Sequence, residues 1–140
     1  MSYKPLVLTA STTLRADTHA GAVSRVVAVA GATITLPASA GTGDVYTIEC
    51  GATITSNNLI IAVANATDVM EGAVSVASDI AGVTCPTTAT SDTITMNGST
   101  KGGVLGSFVV LQDVAAGFWK VSGALVATGT EATPFSAAVS

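Results

Sequence analysis

His19 is the only histidine in the chain, and it stands close in sequence to Asp17 and Ser24. A base, an orienting carboxylate and a hydroxyl nucleophile are the parts that acyl transfer needs, provided that they converge on one site. Serine is abundant here, and no Gly-x-Ser-x-Gly elbow presents one of the serines at a strand-to-helix turn. The expectation is a histidine on a surface loop, and a protein that is not an enzyme.

The acidic residues Asp44, Glu49, Asp68, Glu71, Asp79, Asp92, Asp113 and Glu131 are dispersed, and no spacing among them selects a glycosidase pair. With one Trp, two Tyr and three Phe there is also little material for a sugar-stacking platform. Asp68, Glu71 and Asp79 lack the alternating oxygen ligands, central glycine and closing glutamate of a calcium loop. The run Gly98 to Gly103 holds Lys101 but not the glycine, Lys and Ser/Thr order of a phosphate loop, so a flexible turn is expected. Asn65-Ala66-Thr67 and Asn97-Gly98-Ser99 match the glycosylation sequon, which matters only after export. Cys50 and Cys85 have no CxxC spacing, and free buried thiols are expected. No metal and no cofactor is implied.

Strands are expected to carry these residues. Short runs of β-branched residues separated by Gly, Asn and Ser place strands at Pro5 to Thr9, Ala22 to Ala30, Ala32 to Leu36, Val45 to Cys50 and Leu59 to Val63. Further strands are expected at Ala73 to Ala77, Thr93 to Met96, Phe108 to Val114 and Phe118 to Val126. Ala32-Thr33-Ile34-Thr35-Leu36 and Thr93-Ile94-Thr95-Met96 alternate apolar with Thr, so one face packs and the other meets solvent. Leu59 to Val63 is apolar on both faces, as suits a central strand or one covered by a neighbouring subunit. Turns are expected at Gly41 to Gly43, Ser56 to Asn58, Asn97-Gly98, which opens a hairpin or a longer loop, and Gly102-Gly103. The best candidate for a helical turn is Asn65 to Ala73. Gly-Ala-Thr-Ile-Thr occurs at Gly31 to Thr35 and again at Gly51 to Thr55, read as a reused turn-then-strand device and not as a solenoid repeat.

This pattern predicts an all-β chain with little or no helix: a single-domain β-sandwich or barrel, jelly-roll-like, over residues 1–140. Extended arms are expected at about 1–20 and 129–140. In Phe118-Trp119-Lys120 adjacent aromatics face opposite ways, so one fills the core and the other is free to anchor a subunit contact. Core packing and interface both stand open for Trp119. Tyr3, Pro5, Trp119, Pro134 and Phe135 are the candidate interface residues.

The 140 residues are 49% hydrophobic and only 10% charged, and the mean hydropathy is +0.62. An ordinary globular chain carries about 25% charged residues. Such a small chain leaves neutral or apolar surface outside, as suits contacts with other subunits. The charge-free stretch from Val26 to Gly43 contains Thr, Ser, Pro and repeated Gly, so no membrane span is expected there. Met1 to Ala16 offers only Leu6-Val7-Leu8 as an apolar patch, so no secretory signal is expected either. The five basic residues Lys4, Arg15, Arg25, Lys101 and Lys120 are scattered and the net charge is −4, which disfavours direct nucleic-acid binding.

Several ordered segments resemble those of small virion proteins of tailed phages. They are Ala32 to Ala38, Val45 to Ile48, Ser56 to Asn58, Asp92 to Gly98 with Gly102-Gly103, Gly117 to Val121 with Gly123, and Gly129 to Phe135. The resemblance covers most of the chain and implies a capsid decoration or cement protein: a β-rich subunit, expected as a homotrimer, that binds the major capsid protein lattice. It implies a place on the capsid exterior after synthesis in the host cytoplasm. A receptor- or carbohydrate-binding module of a fibre or tail, with Trp119 as its sugar platform, is the alternative. No catalytic residue follows from the resemblance.

Overall fold

A computed structural model describes residues 4–140 of the chain. In chain order the elements are β1 (Leu6–Leu8), β2 (Thr12–Thr13), α1 (Ala16–His19), β3 (Val23–Val26), β4 (Ala32–Thr35), β5 (Val45–Cys50) and β6 (Leu59–Ala62). They continue as β7 (Val69–Ala77), β8 (Gly82–Pro86), β9 (Thr93–Met96), β10 (Phe108–Ala115), β11 (Phe118–Val126) and β12 (Phe135–Ser136). Two sheets result: a seven-stranded one ordered β1-β3-β5-β10-β11-β7-β8, and a five-stranded one ordered β12-β9-β6-β4-β2.

The first half of the chain visits the two sheets alternately. β1, β3 and β5 lie side by side and parallel in the larger sheet, while β2, β4 and β6 do the same in the smaller one. This is a short coil, each turn of which adds one strand to each sheet. β7 also runs parallel to β11. The expected all-β sandwich is what forms, and its two sheets mix parallel with antiparallel pairs. The all-β character and the near absence of helix hold.

Burial follows the strand period of two. Ile34, Ile61, Ile94 and Phe135 are successive register partners across β4, β6, β9 and β12, and all four are buried. Leu8, Val26 and Cys50 form the matching row across β1, β3 and β5. Thr33 points outward from β4 and is exposed, as the alternation predicts. At roughly 1.5–3 kcal/mol for each large apolar side chain removed from water, these facing rows supply much of the driving force for folding.

Three expectations change. The helical turn is Ala16–His19, with residues 65–68 forming a turn around the Asn65 side chain, whose Oδ1 accepts from the Thr67 and Asp68 N–H groups. The second Gly-Ala-Thr-Ile-Thr copy is not a strand: Gly51 lies under the Arg25 side chain, and Ile54 N–H donates to Gly103 O. Residues 4–20 and 129–140 are docked rather than extended. Leu8, Leu14 and His19 are buried at one end, and Pro134 and Phe135 at the other.

Cys50 and Cys85 are free and buried. Burial, with the Glu49 charge adding to it, pushes the Cys50 thiol up to about 11, so it is not a nucleophile near neutral pH. Iodoacetamide at pH 8 should therefore label neither cysteine until denaturant is added. Rapid native labelling of Cys50 would contradict this packing.

Candidate functional site

The candidate triad does not assemble. His19 is buried, not on a surface loop, and its Nδ1 accepts a 2.9 Å hydrogen bond from the Arg15 N–H, closing the single turn of α1. Asp17 is turned away onto Arg15, with contacts of 3.1 and 2.8 Å. Ser24 lies on β3 and is buried. Among the described residues no three His, Cys, Asp or Glu side chains gather as metal ligands, and no helix is long and apolar enough to cross a membrane.

The buried carboxylates are loop anchors. Asp113 accepts from Ala40 N–H at 3.0 Å, Gly41 N–H at 2.7 Å and Thr42 Oγ1 at 3.0 Å. Asp92 accepts from Thr93 Oγ1, Val139 N–H and Ser140 N–H, which fastens residues 137–140 beside β9. In both, desolvation favours the neutral acid, but the converging hydrogen bonds outweigh it and hold the carboxyl below its usual range. Their contribution to stability is complete above about pH 4, the unfolded value, and is withdrawn as pH falls through the lower folded values. Asp113→Ala should accordingly cost roughly 3 kcal/mol at pH 7 and less at pH 3. Equal losses at both pH values in urea titrations would contradict the anchoring role.

The feature that remains is a surface. On the outer face of the seven-stranded sheet, Val7, Arg25, Glu49, Phe108, Ala124, Ser75 and Thr84 are consecutive register partners from edge to edge. A second row runs Val23, Thr47, Val110, Ser122. Val7 is 60% exposed, and Val23, Phe108 and Val126 are exposed as well. The charges on this face cancel locally. Arg25 contacts Glu49 at 2.8 Å, and Lys120 is the register partner of Glu71. The Arg25–Glu49 pair is half-buried and its guanidinium also donates to Gly51 O at 3.2 Å, so it is held across the sheet surface. The outer face of the smaller sheet presents Thr33 and Thr95 on either side of a half-buried Ile60, with Thr35 beside Ala62.

Among the five interface candidates, Pro5 is exposed beside β1, whereas Tyr3 lies outside the described residues. Trp119, Pro134 and Phe135 are buried in their own chain, so the structure assigns them to packing and not to an exposed contact. Phe118 takes the outward position instead, at 44% exposure. Sequence reasoning missed Phe108, whose outward aim depends on the register between β10 and β11. Comparison with known proteins returned no matching family, curated protein or solved structure.

Proposed function

We propose that this protein is a non-enzymatic structural subunit of a tailed-phage virion, a decoration or cement protein that binds the major capsid protein lattice and reinforces it. The observation that carries the reading is the outer face of the seven-stranded sheet, broad, weakly charged and internally neutralised. A face whose central charges, Arg25 and Glu49, are already paired loses less there when water is removed, while its exposed Val and Phe side chains gain. Binding that is specific to the assembled shell stabilises that shell by mass action. The sequence resemblance described above points the same way.

Purified chain should cosediment with expanded heads that lack it. Phe108→Asp, at the centre of the face, should weaken that binding more than tenfold while leaving the circular dichroism spectrum unchanged. Thr33→Asp, on the opposite sheet, should change it less than threefold. Equal effects of the two substitutions, or no cosedimentation of the wild-type chain, would contradict the proposal. A sugar-binding module that uses Trp119 as its platform has no support, because the indole is inaccessible.

A further inference from the structure

At one end of the sandwich a groove of about 640 Å³ opens between the β7–β8 turn, the start of the 104–107 loop and the segment that follows β11. That volume is in the range of binding clefts. Its apolar wall is Ile80, Val104, Val126 and Ala127, and it also holds Asp79 and Glu131. Ile80 is 91% exposed at the turn, which is pinned beneath it by Ser78 N–H donating to Ala81 O at 2.8 Å. One Glu131 oxygen accepts from the same Ser78 N–H at 3.2 Å. Neither Asp79 nor Glu131 has an ion-pair partner among the described residues.

The groove is thus apolar with two unneutralised carboxylates, and it fits a segment that combines large apolar side chains with a cation. The sequence Met1-Ser2-Tyr3-Lys4 has that chemistry. We propose that residues 1–4 of a second copy of this chain dock in the groove, with Tyr3 against Ile80 and Val126 and the Lys4 ammonium near Asp79 and Glu131. This deepens the structural-subunit reading and rests on it.

The same chain cannot fill its own groove. β1 is the first strand of the seven-stranded sheet, whereas the groove lies at β11, β7 and β8, the last three. Four strand spacings alone separate β1 from β11 by about 19 Å. Residues 1–4 span at most about 14 Å. β1 also enters its sheet from the far end, since Val7 is level with Ala124 and Val126 lies further along in the direction of Leu8. Donor and acceptor surfaces on opposite edges make a heterologous contact, which closes into a ring when the rotation between copies allows.

The test is a charge-reversal cycle on the full chain, read as oligomer mass against concentration by sedimentation equilibrium. Lys4 and Asp79 are both exposed, so the variants should keep the wild-type circular dichroism spectrum. Lys4→Glu and Asp79→Lys should each weaken self-association at least tenfold, and the double variant should return to within threefold of wild type, as close interfacial charge pairs do. Tyr3→Ala should weaken it at least tenfold as well. Single variants that associate like wild type, or losses that simply add in the double variant, would overturn the docking. A wild-type chain that stays monomeric yet cosediments with heads would overturn the docking and leave the proposed function standing. Intact, Lys4-dependent association with no binding to heads would do the reverse.

Discussion

Trp119→Ala should cost about 3–5 kcal/mol of folding stability, the range seen when a large aromatic is removed from a packed core. The indole is fully buried and meets the Tyr46 ring edge to face, with centroids 5.7 Å apart and planes at 68°. In register it sits between Asp113 on β10 and Met70 on β7, so its loss opens a cavity at the centre of the larger sheet. Trp119→Phe should behave differently. The indole Nε1 has no hydrogen-bond partner, and a buried donor left unmade costs about 1–3 kcal/mol. Phenylalanine removes that penalty while keeping an aromatic ring, so a loss below about 1.5 kcal/mol is expected. Urea unfolding followed by far-ultraviolet circular dichroism measures both, because the variants lack the chain's single tryptophan. Equal losses for the two would mean that the indole N–H does have a partner.

Gly72→Ala should cost at least about 3 kcal/mol, more than ordinary surface substitutions by a wide margin. Gly72 has φ +140° in the middle of β7, and a Cβ there would collide with the Val121 carbonyl oxygen on β11. The parallel pairing of these two long strands must therefore part locally or the substitution must be accommodated under strain. Gly117 is the natural control. Its φ is +88°, yet nothing stands within 4 Å of the position of a Cβ. Gly117→Ala should then cost only the backbone strain, about 1–2 kcal/mol. If unfolding experiments gave the two alanines the same penalty, close approach of β7 and β11 would not be what Gly72 provides.

Strands that alternate cleanly between turn glycines could be read from residues alone. β5, β9 and β11 have the expected bounds, because Val45 to Cys50, Thr93 to Met96 and Phe118 to Val126 carry enough residues for the period of two to register. β2 and β12 contain two residues each and carry no period. β8 ends in Pro86, a residue that argues against a strand except at an edge, and an edge is where it lies. The twin pentapeptides diverge for tertiary reasons. Gly31 must approach the Asn57 and Asn58 carbonyls closely and leads into β4, whereas its counterpart Gly51 is occupied by Arg25.

The candidate interface was less legible than the fold. The sequence requires Phe118 and Trp119 to face opposite ways, but the inward one is decided by the pairing of β11 with β10, which includes an irregularity between Asp113 and Ala115. Likewise, the neutral face depends on Arg25 lying beside Glu49, which are 24 residues apart and become neighbours only through the parallel pairing of β3 with β5. Nothing in local periodicity encodes a parallel neighbour.

A cryo-electron microscopy reconstruction of the parent particle would locate the subunit outright. Copies of this sandwich are expected on the outside of the head, with the sheet face that carries Phe108, Val7 and the Arg25–Glu49 pair covered by the shell. A sandwich found away from the head, or on it with that face open to solvent, would overturn the proposed lattice binding.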